Sequence, residues 1–163
     1  MIGKVIKYNM KNINTDLIIP ARYLINSDEK FLAQHCMEDL DSDFVEKVKN
    51  ENYQILVADS NFGCGSSREQ APSAIKASGI VCIIAPSFAR IFFRNAINIG
   101  LPILEFPDIG KIKTGDILKI QFEEGLIMNT TTTEEFQIVK QPSFLQQIIS
   151  AGGLINFARN QMK

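Results

Sequence analysis

The sequence predicts an α/β domain that combines a parallel sheet with a β-rich C-terminal part. Between residues 53 and 106, apolar segments of strand length alternate with segments of helical spacing, an order typical of parallel strands joined by crossover helices. After residue 107, apolar and polar residues alternate and glycines recur, which is typical of antiparallel strands joined by turns. The chain has no internal repeat or linker-like stretch, so we expect one domain over residues 1–163.

The N-terminal third predicts short elements. Residues 4–8 have the pattern of an opening strand and lead into a polar turn over residues 9–14. A short apolar run over residues 17–20 ends at a proline. Residues 28–40 place apolar side chains at roughly helical spacing, and residues 44–49 suit a further helical turn or two.

The parallel strands are predicted in the central segment. Residues 53–59 predict a buried strand that leads into a glycine-containing loop, followed by a helix that ends near residue 78, before Gly79. Residues 80–85 and 101–106 predict two further strands, with a helix over residues 88–97 between them. Residues 108–120 and 125–139 predict antiparallel strands, and residues 143–161 a closing helix interrupted at Gly152 and Gly153.

The composition excludes several classes of protein. Hydrophobic residues make up 45% and charged residues 21% of the chain, and the net charge is −1, so neither a nucleic-acid surface nor an anionic-membrane surface is indicated. The apolar run over residues 80–85 is too short to span a bilayer, and the N-terminus lacks the pattern of a signal peptide. Cys36, Cys64 and Cys82 are widely spaced, which predicts no disulfide framework, no metal site built from this chain alone, and a cytoplasmic location.

The segment with the strongest chemical signature is residues 61–70, NFGCGSSREQ. It lies between a predicted strand and a predicted helix, where open α/β sheets place their ligands. Gly63 and Gly65 allow a ligand to approach the backbone closely. Arg68 can hold a carboxylate with two parallel hydrogen bonds.

Two overlapping capping boxes are possible at the start of this helix, Ser66 with Glu69 and Ser67 with Gln70. Either box leaves free backbone N–H groups that attract an anion. Pro72 opposes both boxes, because it lacks the N–H that a second helical turn needs, and it favours a helix that begins only near itself.

Other interpretations of the loop remain open. It can be a structural turn in which Arg68 pairs with a surface carboxylate. Phosphate binding is less favoured, because the loop lacks both the P-loop sequence and the dinucleotide fingerprint. Cys64 is a possible nucleophile, but its base would have to be the distant His35, so an inert thiol is the better interpretation.

A second polar cluster, Asn14-Thr15-Asp16, precedes the apolar run at residues 17–20. Alone, it is best explained as an Asx turn or a helix cap. The functional alternative is an acid–hydroxyl pair, Thr15 with Asp16, that lines the same crevice as the loop.

Three segments together resemble the swivelling domain of the aconitase superfamily: NINTDLIIPARYL at residues 12–24, NFGCGSSREQAPSAI at residues 61–75, and IIAPSFARIFFRNAINIGLPIL at residues 83–104. The chain is most similar to the separately encoded small subunits of 3-isopropylmalate dehydratase and homoaconitase. The resemblance implies a single swivelling β/β/α domain with a mixed, partly barrel-like sheet flanked by helices.

The resemblance also implies an activity and roles for individual residues. Such enzymes are hydro-lyases, active only when a large subunit supplies a [4Fe-4S] cluster, in a heterodimer or heterotetramer that acts on a small dicarboxylate. By position, Ser66 matches the base that removes a proton from carbon, and Arg68 and Ser67 match substrate contacts. Thr15 and Asp16 match a pair in the catalytic crevice, and Gly63, Cys64 and Gly65 form the anion cradle.

Two features depart from single-chain aconitases. Those enzymes have a further substrate arginine after the threonine–aspartate motif, whereas here only Arg22 lies nearby, so that role is not transferred. Arg90 and Arg94 lie on a predicted helix whose other residues are typical of a core. We expect both to form structural ion pairs or to lie at the edge of the subunit interface.

The substrate is indicated by the residue after Tyr23-Leu24. Homoaconitase-like members carry an arginine there, whereas this chain has Ile25, which favours an isopropyl group over an extra carboxylate. We therefore expect interconversion of 2-isopropylmalate and 3-isopropylmalate, a step of leucine biosynthesis. The alternatives are homoaconitate, dimethylmalate or citramalate as substrate, an Ile25 that only packs into its loop, or a non-catalytic anion-binding module.

Overall fold

The computed structural model describes residues 1–162 and contains one seven-stranded mixed sheet. The strands are β1 (Ile2–Tyr8), β2 (Tyr53–Ala58), β3 (Cys82–Ala85), β4 (Ile103–Glu105), β5 (Ile117–Gln121), β6 (Leu126–Asn129) and β7 (Glu134–Gln137). The helices are α1 (Thr15–Ile18), α2 (Glu29–Gln34), α3 (Phe44–Asn50), α4 (Gln70–Ala77), α5 (Arg90–Asn98), α6 (Ser143–Ser150) and α7 (Leu154–Gln161), with 3₁₀ turns at Ala21–Tyr23 and Ile109–Lys111.

The first four strands form the parallel half of the sheet, in the order β4-β3-β2-β1. Their apolar side chains are buried on both faces; β3, for example, is buried at all four positions. Strands covered on both faces need continuous apolar runs, and parallel pairing needs crossover connections, which α4 and α5 supply. The predicted parallel strands are therefore confirmed, with ends that differ by one or two residues.

The last three strands form an antiparallel meander that joins the sheet where β5 pairs with β1. β5 alternates exposed and buried residues along most of its length, as expected for a strand with one solvent-exposed face. The predicted antiparallel part is confirmed, although residues 108–116 form a 3₁₀ turn and loop instead of strand.

The sheet curls so that side chains from its two edges come into contact across its interior. Phe106, just after the edge strand β4, packs against Phe136 of the other edge strand, β7, with ring centroids 5.3 Å apart. One buried cluster accordingly contains residues of β2, β3 and β4 together with residues of β5, β6 and β7. The helices pack on the opposite face in a second cluster. These layers, sheet on sheet with helices outside, are the expected β/β/α arrangement with a half-barrel sheet.

Glycines end or divide the helices where the sequence predicts. α4 ends at Ala77, and Gly79 follows with φ of 111°. Gly152 and Gly153, at φ of 80° and 124°, separate α6 from α7. A Cβ on Gly153 would lie 2.6 Å from the carbonyl oxygen of Asn98, so the close packing of this turn on the end of α5 requires glycine.

One helical prediction differs from the structure. Within residues 28–40 only α2 is helical, and the chain continues as turns that bury Cys36 and Met37. Residues 17–20 contain the end of the single turn α1, which Asn14 caps by accepting a hydrogen bond from the Leu17 N–H at 2.9 Å. None of the helices within residues 1–162 has the length and apolar character that a bilayer crossing requires.

A buried polar pair fixes the end of the antiparallel hairpin. Asn129 is fully buried; its Nδ2 donates to Asp116 Oδ2 at 2.8 Å, and its Oδ1 accepts from the backbone N–H of Thr131 at 3.0 Å. Asp116 also accepts from the backbone N–H of Lys113 at 2.8 Å. A buried pair satisfied on both sides contributes stability and is costly to break.

We expect Asn129→Ala to lower the free energy of unfolding by about 3 kcal/mol, because it leaves buried polar groups without hydrogen-bond partners. Thr131→Ala is the matched control: it removes an exposed hydroxyl that accepts from the Ile117 N–H and should cost less than about 1 kcal/mol. Urea denaturation measures both. Equal losses for the two variants would contradict the proposed importance of the buried pair.

Candidate active site

The candidate site lies where three neighbouring strands end. β1, β2 and β3 are parallel and adjacent, so the segments that follow them meet at one edge of the sheet. Isolated bridges continue the pairing past the strands, between Asn14 and Cys64 and between Phe62 and Phe88. The segment 12–16, the loop 61–69 and the start of α5 are therefore held side by side.

Backbone hydrogen bonds join the segment 12–16 to the loop. The Gly63 N–H donates to the Ile13 carbonyl at 2.8 Å, and the Thr15 N–H donates to the Cys64 carbonyl at 2.8 Å. The Thr15 hydroxyl donates to the Ser66 carbonyl at 3.0 Å, from a side chain that is only 2% exposed. Thr15 thus reaches the loop through both its backbone and its side chain.

Two asparagines close the outer end of this junction. Asn12 and Asn61 adopt φ of 56° and 59°, a left-handed conformation that asparagine tolerates better than most residues. The Asn61 side-chain amide donates to the Asn12 side-chain oxygen at 2.7 Å, and the Asn12 N–H donates to the Ser60 carbonyl at 3.0 Å. The sequence analysis missed this pair, which only the meeting of two distant turns reveals.

Gly63 lets the loop lie directly on α5. A Cβ built on Gly63 would lie 2.2 Å from Cγ of the buried Phe92, and Gly63 has φ of 76°. Both space and backbone conformation therefore require glycine at this position. Gly65, with φ of 95°, lies against Thr15, whose Oγ1 would be 3.4 Å from an added Cβ.

The segment that follows β1 holds the Arg68 side chain in place. This side chain is 11% exposed, and Nη1 lies 2.7 Å from Asp16 Oδ1 and donates to the Ile19 carbonyl at 3.1 Å. Neither Nε nor Nη2 donates a hydrogen bond within residues 1–162. Arg68 is thus oriented by two acceptors and keeps donors for a ligand, and the expected proximity of Asp16 to the loop is confirmed.

The predicted capping boxes are wrong. α4 begins at Gln70, and no side chain caps it. If Ser66 or Ser67 capped the helix, Pro72 would fall in the second helical turn, where it would break a hydrogen bond. The observed start places Pro72 in the first turn, in agreement with the alternative drawn from the proline. The backbone N–H groups of residues 65–70 meet no acceptor within residues 1–162, so these donors stay available without any capping box.

Ser66 and Arg68 share a cavity of about 170 Å³ with Thr15 and the first turn of α5. Ser66 is exposed, and its hydroxyl has no partner within residues 1–162. The cavity is lined by Thr15, Gly63, Gly65, Ser66, Arg68, Ala89, Arg90, Ile91, Phe92 and Asn95. This lining contains two arginines and no acidic side chain, so the cavity suits an anion.

Four expected site residues lie outside this lining. Asp16 contacts Arg68 at 2.7 Å but does not line the cavity. Ser67 is exposed and Cys64 is half buried, both on the same loop. Ile25 is 92% exposed. The interpretation that Ile25 only packs into its loop is therefore wrong, since an isoleucine this exposed has almost no contact with its own chain.

Arg90 belongs to the lining, which the sequence analysis missed. Neither Arg90 nor Arg94 forms an ion pair within residues 1–162. The expectation of structural ion pairs is thus wrong, because no acidic side chain in the described chain approaches this face of α5. The order of the elements could have indicated this position. Because α5 follows β3, its first residue lies at the same end of the parallel strands as the other loops.

The other candidate side chains are occupied elsewhere. His35 stacks on Tyr23, with ring centroids 3.7 Å apart, and its Nδ1 lies 2.7 Å from Glu38 Oε2. The hydrogen bonds from His35 and Tyr23 lower the pKa of Glu38. Arg22 pairs with Asp39 at 2.5 Å and with Glu38 at 3.1 Å, which agrees with the decision to give it no substrate role.

The cysteines do not form a reactive or metal-binding group. Burial raises the pKa of the Cys36 thiol well above its usual range and that of Cys82 to about 12, so both are inert hydrophobic side chains. Cys64 has no histidine beside it, because His35 is engaged by Glu38. Within residues 1–162 no three His, Cys, Asp or Glu side chains come together in a way that could hold a metal ion.

Comparisons with known proteins agree with this geometry. The family model described as Aconitase C-terminal domain matches residues 3–109. A 3-isopropylmalate dehydratase small subunit from Caldanaerobacter subterraneus subsp. tengcongensis is 58% identical over 100% of both chains. A 2,3-dimethylmalate dehydratase small subunit from Eubacterium barkeri is 55% identical over 95% of this chain and 94% of its own.

A solved structure shares the fold. The crystal structure of 3-isopropylmalate dehydratase from Methanocaldococcus jannaschii has a TM-score of 0.88 and 43% sequence identity, and the match covers 99% of this chain and 96% of that one. A likeness at this level extends over the whole half-barrel and the helices, and includes the edge of the sheet where the cavity lies.

We expect Gly63→Ala to lower the free energy of unfolding by about 3 kcal/mol, because the new methyl group adds a steric clash to backbone strain. Gly115→Ala is the control: Gly115 has φ of 93° with nothing within 4 Å of an added Cβ, so it should lose only about 1 kcal/mol. Chemical denaturation measures both. If the two variants lose the same stability, the packing of the loop on Phe92 is not as described.

Proposed function

The chain belongs to the aconitase C-terminal domain family, and from that premise we propose that it is the small subunit of a hydro-lyase that interconverts 2-isopropylmalate and 3-isopropylmalate. The observation that carries the proposal is the shared cavity, in which an unpartnered serine hydroxyl lies beside an oriented arginine. The relatives that match along their full length and carry this name support the choice of reaction.

The chemistry assigned to this chain is removal of a proton from carbon. Dehydration of either isomer breaks a C–H bond next to a carboxylate and the C–O bond of the hydroxyl on the adjacent carbon, and releases water. The alkoxide form of Ser66 Oγ receives the proton from carbon, the departing hydroxide takes up a second proton on the side of the large subunit to become water, and rehydration reverses both transfers. Arg68 holds a substrate carboxylate, which fixes the carbon at the distance and angle that proton transfer requires.

A serine hydroxyl is a weak base, so its alkoxide needs stabilisation. The cavity offers two sources, the guanidinium groups that line it and the free N–H groups of the lining residues Gly65, Ser66 and Arg68, just before α4. Both are held in place before the reaction, so they stabilise negative charge without reorganising. No acidic side chain lines the cavity to oppose this charge.

The other loop residues are assigned supporting roles. Thr15 positions the Ser66 backbone through its hydroxyl, and Asp16 orients Arg68. Gly63, Cys64 and Gly65 form the turn that exposes the N–H groups. Ser67 is exposed on the open side of the loop, where a ligand or a second subunit covering the cavity would contact it.

The site is completed by another polypeptide. The described residues do not fit a [4Fe-4S] cluster, because Cys36 and Cys82 are fully buried and no suitable group of three ligands exists among residues 1–162. A cluster of this kind is therefore assigned to a large subunit, and departure of the substrate hydroxyl belongs to that subunit. The printed names of the relatives, which are small subunits, support such a partner.

We expect activity only in a mixture of this chain with a large subunit, assembled without oxygen. Ser66→Ala should lower kcat by at least about 100-fold, the contribution typical of a positioned base. Ser73→Ala is the control, because this serine lies on the exposed side of α4 and donates to the Glu69 carbonyl. Circular dichroism checks that both variants fold.

Three outcomes would contradict the proposal. Turnover by the purified small chain alone would refute the division of labour between subunits. Full activity of Ser66→Ala would show that Ser66 is not the base. Tight binding of a dicarboxylate to the isolated chain by calorimetry, without activity in any mixture, would instead indicate a non-catalytic anion-binding module.

Ile25 is assigned to recognition of the substrate alkyl group. Its nearly complete exposure leaves an apolar side chain that gains stability only when a substrate or another subunit covers it. A relative acts, by its name, on 2,3-dimethylmalate, so the assay compares isopropylmalate, dimethylmalate, citramalate and homoaconitate.

We expect Ile25→Ala to lower kcat/KM for isopropylmalate by about 10-fold relative to dimethylmalate, because the lost side chain contacts the larger alkyl group. Val139→Ala is the control, since Val139 is 86% exposed and follows β7, at the opposite edge of the sheet. An unchanged ratio of kcat/KM values for Ile25→Ala would show that this residue does not determine substrate specificity.

A further inference from the structure

The cavity beside Ser66 is lined by two guanidinium groups whose surroundings differ. Only 11% of the Arg68 side chain is exposed, and its charge is offset by Asp16 at 2.7 Å. Arg90 is exposed at the first position of α5 and has no ion pair or hydrogen-bond acceptor within residues 1–162. The uncompensated positive charge of the cavity therefore comes from Arg90.

Arg68 alone cannot balance the charge of a substrate that has two carboxylates. An acid with two carboxylates brings two negative charges, whereas the Arg68–Asp16 pair is close to neutral. The lining has no other cation and no acid. Among the described lining residues, Arg90 is thus the only side chain with an unpaired positive charge for a second carboxylate.

Resting on the function proposed above, we propose that Arg90 is a second carboxylate-binding residue of the site and holds the substrate carboxylate that Arg68 does not hold. While the cavity is open, water solvates the Arg90 guanidinium at little cost. Once a large subunit covers the cavity, an unpaired guanidinium becomes expensive. Substrate that supplies the missing charge is then bound more tightly than a molecule that does not.

The position of Arg90 on α5 makes this contact geometrically stable. α5 is anchored by Phe92, which is 2% exposed and packs against Gly63 of the loop. The same contact that holds the loop against the helix therefore fixes the backbone of Arg90 relative to the backbones of Ser66 and Arg68. Ile91 and Asn95 complete the wall of the cavity on this side.

Arg94 provides a matched control. It lies one helical turn after Arg90 and is likewise exposed and without an ion pair within residues 1–162, but it does not line the cavity. A general effect of positive charge on this helix, or contact with the large subunit, should involve both arginines. A contact with substrate should involve Arg90 alone.

The experiment uses the reconstituted enzyme with Arg90→Gln, Arg90→Lys and Arg94→Gln. For each variant, kcat and KM for isopropylmalate are measured at saturating small subunit. Titrating the small subunit into a fixed amount of large subunit gives its half-saturating concentration. We expect Arg90→Gln to raise KM about 10- to 100-fold, the loss typical of one charge-assisted hydrogen bond. Arg90→Lys should fall between Arg90→Gln and wild type, and Arg94→Gln should match wild type.

The half-saturating concentration separates substrate binding from docking. An unchanged value with a raised KM supports the proposal. A raised half-saturating concentration with a normal KM would overturn it and make Arg90 a docking residue. Wild-type kinetics for Arg90→Gln would overturn it while leaving the proposed function intact, whereas a wild-type mixture that is inactive on every branched malate would overturn both.

Discussion

Residues 12–16 and residues 61–66 are joined by hydrogen bonds between their backbones, and the candidate site depends on this junction. The Gly63 and Thr15 N–H groups donate across it, and the Thr15 hydroxyl reaches the Ser66 carbonyl. Loops that follow neighbouring parallel strands meet at one edge of a sheet, but meeting does not fix their conformation. Here each loop supplies the acceptors for the other, so Ser66 is held outward and Arg68 is held against Asp16.

The charge of the site follows from the same junction. Asp16 lies 2.7 Å from Arg68 but does not line the cavity. The lining itself is left with two arginines, a serine and free backbone N–H groups. Such a surface stabilises anions and alkoxides, and in the proposed function it supplies the proton-removing half of the elimination. The small-subunit names of the relatives imply a large-subunit partner, to which the proposal assigns the other half.

Much of the fold could be predicted from local patterns. Continuous apolar runs identified the parallel strands, alternation identified the antiparallel ones, and Gly79 and Gly152 marked helix ends. The start of α4 was ambiguous, because Ser66 and Ser67 suggested capping boxes whereas Pro72 excluded them, and the steric demand of proline prevailed. The curl of the sheet was expected from the family resemblance alone, since local patterns do not contain contacts such as Phe106 with Phe136 between residues distant in sequence.

The site could be predicted only in part for the same reason. The loop sequence identified Ser66 and Arg68, and the proximity of Thr15 and Asp16 followed from the family resemblance. Arg90 was missed because its helix was judged by its core-like neighbours, and not by the end of β3 that it follows. The pairing of Asn12 with Asn61 was missed because each asparagine alone is an ordinary turn residue.

Amide hydrogen exchange of the isolated chain tests the junction most directly. The account predicts that the Gly63 and Thr15 amides exchange as slowly as amides within β2, because both donate across the junction at 2.8 Å. The amides of Ser66, Ser67 and Arg68, which have no acceptor within residues 1–162, should exchange at rates close to those of an unfolded chain. Exchange of Gly63 and Thr15 as fast as that of Ser66 would contradict the account, because the two loops would then not hold each other.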